Sequence, residues 1–263
     1  LLRDVMPGEL IRISEQGIQT KRITRSNHHA FCIFEFIYFA RADSQMEGRL
    51  VYDVRRKIGE LLAEEAPVEA DMVSPVPDSG TSLAVGYAIR AGVPFLEVLM
   101  KNRYMGRTFI KPSQRERENA VRIKLNPIKE HIRDRSIVLV DDSIVRGTTS
   151  RRIVGMIRDA GARGVHVRIG SPPIRAPCYL GVDMPTREEL IASDKDVEAV
   201  RQSIHATTLH YISMESLIRA IGIDQADLCT GCLTGRYPLC IRGECCTPRA
   251  VDHVGGSYQV ELE

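Results

Sequence analysis

Residues 137–150 read IVLVDDSIVRGTTS. Four apolar residues run straight into two adjacent carboxylates, Asp141 and Asp142, then into a loop of hydroxyls, one arginine and one glycine. A short continuous apolar run is the pattern of a central strand in a parallel sheet, covered on both faces. The loop leads into a helical stretch, 150–160, that Gly161 stops. In open parallel sheets ligands bind beyond the carboxyl ends of the strands, which is where the two acids stand. The start of the next helix offers free N–H groups and partial positive charge, both suited to phosphate. Gly147 lets the backbone come close, and Ser143, Arg146, Thr148 and Thr149 supply further donors. A ribose 5-phosphate unit satisfies both halves. Its hydroxyls bond the carboxylates, which also suit a hard cation, and its phosphate takes the loop.

The remaining chain repeats the alternation of strand and helix. MVSPVP (72–77), PFLEVLM (94–100) and VHVRIG (165–170) read as strands, and 81–91 as a helix ended by Gly92. Val54, Ile58, Leu61 and Leu62 have helical spacing within 53–66. Thr186 and Glu189 have capping-box spacing before a short helix. Near the start, 9–23 reads as a hairpin turning at Glu15-Gln16-Gly17, and FCIFEFIYF (31–39) as a buried strand. The fold class is therefore α/β, a parallel sheet flanked by helices. Three parts are expected: an N-terminal hairpin and hood segment (1–45), the main domain (46–238) and an irregular tail (239–263) with three cysteines and no periodicity.

Composition narrows the function. Lys+Arg 36 against Asp+Glu 34 gives a net charge of +2, without the basic excess of a general nucleic-acid binder. Trp is absent and aromatics are 5%, which excludes a stacking platform for single strands. No apolar run approaches the roughly 20 residues of a spanning helix, and the first ten residues lack the pattern of a secretion signal. The expected setting is the cytoplasm. Seven cysteines, an odd number, fit thiols or metal ligands in a reducing compartment better than a disulfide framework. Cys229 and Cys232 form a CxxC pair, whose spacing suits a metal centre, zinc included, or a redox pair. Neither a Walker A loop nor G-x-G-x-x-G is present. Residues 101–126 are cationic, either a lid or a solvated charge run, and they follow a core strand directly. The histidines, His28, His29, His205 and His210 among them, show no metal spacing.

The apolar run, acid pair, S-x-x-R-G-T-T and helix together resemble the phosphoribosyl-diphosphate motif of type I phosphoribosyltransferases. FCIFEFIYFARADS (31–44), VPDSGTSLAVGYA (76–88), KNRYMGRTFIKPSQ (101–114), VRIKLNP (121–127) and CTGC (229–232) extend the likeness. In this order they resemble the glutamine phosphoribosyl-diphosphate amidotransferases of the iron–sulfur type, phosphoribosyltransferase part only.

The resemblance implies a type I phosphoribosyltransferase fold. It also implies Mg²⁺-dependent displacement of diphosphate from phosphoribosyl diphosphate by ammonia, giving phosphoribosylamine at the entry of purine synthesis. Asp78, Ser79 and Gly80 would hold the diphosphate, and Mg²⁺ would sit on Ser79, Asp141 and Asp142. Asp141 and Asp142 would also orient the ribose, while Lys101, Arg103 and Tyr104 would close over the leaving group. Ser143, Arg146, Gly147, Thr148 and Thr149 would bind the phosphate. A 4Fe–4S cluster would be held by Cys32, Cys178, Cys229 and Cys232; Cys240, Cys245 and Cys246 are left as free thiols. Family members begin with a glutaminase domain opened by a cysteine, whereas residue 1 here is Leu. The expectation is a half that uses free ammonia, with the hairpin as a residual join. Homo-oligomers and inhibition by purine nucleotides are further implications; nucleic acid and membrane partners are not. Two alternatives stay open, a regulatory module that only senses phosphoribosyl diphosphate and an inactive fragment.

Overall fold

The computed structural model describes residues 3, 5, 6, 8–23, 29–102, 125–184, 186–241 and 245–246. Strands β1 (Glu9–Ser14) and β2 (Gly17–Arg22) form the expected antiparallel hairpin, with Ser14 opposite Gly17. The run 31–39 departs from expectation. Only β3 (Phe31–Cys32) is a strand; the chain then turns helical, with a π-helical turn over Glu35–Phe39. Ile33, Phe34, Phe36 and Ile37 are buried while Tyr38 and Phe39 are exposed, a helical rather than an alternating pattern. Apolar density alone does not separate the two in so short a run.

Strands β4 (Gln45–Met46) and β5 (Arg49–Leu50) make a small hairpin that feeds helix α1 (Val51–Glu65). Val54, Ile58, Leu61 and Leu62 are all buried, as their spacing predicts. Strand β6 (Met72–Pro75) leads into α2 (Thr81–Ala91), which Gly92 closes in the left-handed conformation at φ +67°. The stretch 94–100 is less of a strand than its sequence suggests. Phe95 bridges Val73, and β7 (Leu99–Lys101) pairs antiparallel with β8 (Leu125–Pro127), outside the main sheet.

The short α3 (Lys129–Ile132) precedes β9 (Ser136–Asp141), α4 (Thr148–Asp159) and β10 (Gly164–Ile169). Helix α5 (Val197–Ser203) and β11 (Thr208–Tyr211) complete the main sheet, which is parallel throughout in the order β11-β10-β9-β6. Alternation along β9 serves two cores. Val138 and Val140 pack with the α1 and α2 side, and Ile137 and Leu139 with the α4 and α5 side. Helices thus cover both faces, and β9 carries its acids out at the carboxyl edge.

Thr186 does begin a helical turn, Arg187–Glu189, but no side-chain cap forms. Its hydroxyl bonds the Glu188 carboxylate instead. After β11 comes α6 (Met214–Ile221), then β12 (Leu228–Cys229), which pairs parallel with β3. Helix α7 (Gly231–Thr234) follows, and β13 (Arg236–Tyr237) pairs parallel with β14 (Cys245–Cys246). Most of the tail from 242 onward lies outside the described residues. Among the described residues no helix is long and apolar enough to cross a membrane.

Candidate active site

Asp141 is the last residue of β9, and its neighbour on β10 is Ile169. The N–H of Gly170 donates to the Asp141 carbonyl at 2.9 Å, so the acid pair is clamped by the adjoining strand. On the other side Val76 N–H donates to Val140 O at 2.8 Å, which brings the loop 76–80 to the same edge. That approach depends on Gly80, where a Cβ would stand 2.5 Å from Val140 O. The Pro77–Asp78 peptide in this loop is cis.

Two motifs 60 residues apart in the chain meet here. Ser143 Oγ donates to Asp142 Oδ1 at 2.6 Å, and the Ser79 hydroxyl also bonds the Asp142 carboxylate. Asp142 N–H in turn donates to Asp141 Oδ1 at 2.9 Å. Burial pushes the Asp141 carboxyl well up from the ordinary range, and the adjacent Asp142 charge adds to the rise. Burial also raises Asp142, opposed by the donors Ser143 and Ser79 and by the charge of Arg55. Two like charges at one strand end repel, and both would be eased by a cation or by hydroxyl donors.

The loop after the acids ends at Gly147, which has φ +76° and caps α4 without any side-chain bond to the helix. Ile191 packs so close that a Cβ on Gly147 would lie 2.4 Å from its Cδ1. The first-turn N–H groups therefore open onto the loop, with Thr148 and Thr149 exposed beside them. Arg146 reaches sideways, its Nε donating to Glu189 Oε1 at 3.1 Å. A cavity of about 440 Å³ flanks this helix end, lined by Arg146, Gly147, Thr148 and Arg151 with residues 188–191, Asp194, Lys195, Ser203 and His205; neither Asp141 nor Asp142 lines it.

Lys101, at the end of β7, forms an ion pair with Asp78. The cation and the loop meant for diphosphate are thus brought together. Arg103 and Tyr104 lie outside the described residues. Sequence reasoning missed Arg55. It is buried in α1, and its Nε donates to Phe36 O at 2.8 Å and its Nη2 to Ala40 O at 2.9 Å. Burial lowers its pKa, while the charges of Asp142 and Glu35 favour the cation. Nothing local sets Arg55 apart from its half-buried neighbour Arg56.

The four cysteines converge at one end of the molecule. Cys229 and Cys232 bracket the start of α7, Cys229 is the register partner of Cys32, and all four are half-buried. Burial raises the Cys232 thiol most, and the nearby Cys32, Cys229 and Cys178 add to the rise. Yet among the described residues no group of three or more ligands closes on a single ion. Cys240 is exposed, and the side chains of Cys245 and Cys246 lie outside the described residues.

No protein-family profile matches the chain. It is 53% identical over 247 residues to an amidophosphoribosyltransferase of Archaeoglobus fulgidus, covering 93% of this chain and 54% of that protein. Its identity to the one of Pyrococcus horikoshii is 56% over 237 residues, 90% of this chain and 52% of the relative. The solved glutamine phosphoribosylpyrophosphate amidotransferase of B. subtilis, complexed with ADP and GMP, superposes with a TM-score of 0.80. That match has 49% identity and spans 90% of this chain and 53% of that one. A structure described as the allosteric regulatory enzyme of purine biosynthesis gives 0.81 at 47% identity, over 95% of this chain and 54% of its own. The chain spans about half the length of the curated relatives it matches. Its fold is the type I phosphoribosyltransferase fold, and nine-tenths or more of the chain is similar to about half of each of these amidophosphoribosyltransferases.

Proposed function

We propose that this chain carries the phosphoribosyl-transfer half of an amidophosphoribosyltransferase: ammonia displaces diphosphate from phosphoribosyl diphosphate, giving 5-phosphoribosylamine. The observation that carries the reading is the meeting of Ser79 with Asp142 at the sheet edge. It joins a diphosphate-type loop to a ribose-type acid pair, with the uncapped start of α4 alongside.

Asp141 and Asp142 accept hydrogen bonds from the ribose hydroxyls. Their negative charge favours the ring as it becomes cationic in the transition state. The first-turn N–H groups of α4, with Thr148 and Thr149, take the 5-phosphate; Ser143, Arg146 and Gly147 shape that loop. Asp78, Ser79 and Gly80 hold the diphosphate, and Lys101 exchanges its Asp78 partner for the more highly charged leaving group. By resemblance Arg103 and Tyr104 join Lys101 there and exclude water. The C1–O bond breaks with its electron pair leaving on diphosphate. The ammonia lone pair forms the C1–N bond, and the surplus proton passes to solvent. Purine nucleotides share the ribose 5-phosphate unit, so they compete for the same loop.

Two groups fit the residues. Two carboxylates and the Ser79 hydroxyl suit Mg²⁺, which typically takes one or two carboxylates plus substrate phosphates rather than a full protein cage. When bound it supplies charge neutralisation to the diphosphate. Cys32, Cys178, Cys229 and Cys232 fit a 4Fe–4S cluster. Four sulfurs on one zinc would stand about 3.8 Å apart, and no such close set exists among the described residues. A cluster spreads its ligands wider. Its role here is structural, tying β3 and β12 to the segment at Cys178.

The test is diphosphate release from phosphoribosyl diphosphate with Mg²⁺, with and without ammonium at alkaline pH. Ammonium-dependent release is expected, reduced at least about 100-fold in Asp141→Asn/Asp142→Asn. Tight binding without turnover would replace this reading with a sensing module. Neither, in a folded and metal-loaded protein, would leave an inactive fragment.

A further inference from the structure

The loop after the acids turns on Gly147, where φ is +76° and a side chain would be both strained and crowded. Glycine meets that need at a cost, for with no side chain of its own it is the least restrained residue of the loop. The restraint comes from another segment. Ile191 lies over the glycine, its Cδ1 only 2.4 Å from where a Cβ would stand. The Ile191 N–H donates to Val145 O at 3.0 Å, and Arg146 Nε donates to Glu189 Oε1 at 3.1 Å. Residues 189–191 thus grip 145–147 along their length. Among the described residues no other backbone donor from a separate segment reaches 143–146.

The gripping segment is itself anchored. Leu190 is buried in the core on the α1 and α2 side, where Val145 packs too, and Ile191 packs against the opposite core, to which Ile144 belongs. Arg187 Nη1 donates to Arg175 O at 3.1 Å, and Ser193 Oγ to Leu190 O at 2.8 Å. The Arg146–Glu189 ion pair by itself is worth little, because both side chains are about half exposed. The restraint therefore falls mainly on Ile191.

We infer that Ile191 is a positioning residue of the 5-phosphate loop: its side chain takes the place of the one Gly147 lacks and fixes the N–H groups at the start of α4 before substrate arrives. The inference rests on that loop taking the 5-phosphate. A preset anion site binds without first ordering its own backbone. The 5-phosphate is remote from the reacting C1, so its binding is alike in ground and transition states. Loosening it raises KM and spares kcat.

The experiment uses the full chain, with ribose 5-phosphate as the calorimetric probe and amide hydrogen exchange in its absence. Ile191→Ala is expected to raise the Kd for ribose 5-phosphate about tenfold, and the KM for phosphoribosyl diphosphate likewise, with kcat within about twofold. Ile191→Leu keeps a branched apolar end and should stay within about threefold of the parent. Without ligand, the Arg151 N–H, which donates to Gly147 O at 2.9 Å, should exchange about tenfold faster in Ile191→Ala. A lower urea midpoint with an unchanged Kd, or with unchanged exchange at Arg151, would mean packing alone and overturns the inference. Should Ile191→Ala fail to fold, Ile191→Val removes Cδ1 only; it is expected to raise the Kd about threefold, and an unchanged Kd overturns the inference. A parent that does not bind ribose 5-phosphate would count against the proposed function, and exchange at Arg151 would then decide the role of Ile191.

Discussion

Cys32 and Cys229 are register partners across a two-residue parallel ladder that joins the start of the chain to its last helical part. Phe31 and Leu228 are the other pair in that ladder, and Ile33 and Phe34 share one buried core with Leu228 and Leu233 beside it. Burial and the other three sulfurs raise the Cys232 thiol, so the metal-free site holds protons that a metal must displace. Cys232→Ser should therefore lose bound iron and sulfide and the visible absorption of the cluster, and its urea midpoint should fall. Iron and acid-labile sulfide analysis checks this; full iron content in Cys232→Ser would rule out the four-thiol assignment.

Gly80 is a contact between two loops rather than a hinge. A methyl group there would meet Val140 O at 2.5 Å and Val76 O at 2.8 Å, both backbone atoms that cannot rotate away. Gly80→Ala should cost about 1–3 kcal/mol of stability. It should also raise KM for phosphoribosyl diphosphate, because the diphosphate loop is pushed off the strand that bears the acids. An unchanged urea midpoint together with an unchanged KM would count against this packing.

Glu65 ties the end of α1 to the start of α6. Its Oε1 accepts from Ser213 Oγ at 2.5 Å and its Oε2 from Ser213 N–H at 3.0 Å, with His210 Nε2 3.1 Å away. Burial alone would raise its pKa, but the bonds from Ser213, Ser216 and His210 outweigh it, and the carboxyl lies below its ordinary 4.5. A carboxylate depressed in the folded state adds stability above its unfolded pKa and loses it as pH falls through the folded one. Glu65→Gln should thus be less stable at pH 7 by about 1–2 kcal/mol. The difference should vanish in acid, which paired urea titrations at pH 7 and below pH 4.5 would show. A gap that stays constant with pH would mean that the charge plays no part.

Tyr211 and Ser171 carry the buried hydroxyls that lack a hydrogen-bond partner among the described residues. Burial pushes the Tyr211 phenol above its ordinary range, as expected for an oxygen with nothing to stabilise its anion. Tyr211→Phe removes that unmet group without a cavity, so thermal stability should stay level or rise by about 1 kcal/mol. A clear loss of stability would instead reveal a bound water serving the hydroxyl.

The local features of the site were legible in the sequence because they are local. An apolar run followed by Asp141-Asp142 and the Gly147-Thr148-Thr149 entry to a helix dictates a strand, an edge and an anion-friendly helix start within fourteen residues. Helix ends at Gly92 and Gly161 were equally visible, since both need a positive φ. The CxxC spacing marked Cys229 and Cys232, whereas only the resemblance added Cys32 and Cys178. Where short-range signals were ambiguous, sequence reasoning failed. The run 31–39 is apolar enough for a strand, yet it turns helical because that puts Phe36 and Ile37 inside. Only the tertiary structure decided which distant groups share an environment. Nothing in the text near Ser79 says that its hydroxyl meets Asp142, and nothing near Arg55 says that its charge faces the same acid. Those relationships come from the parallel order of β6 beside β9 and from the packing of α1 on that face. Electrostatics depends on distance through space, and the sheet sets that distance, not the spacing along the chain.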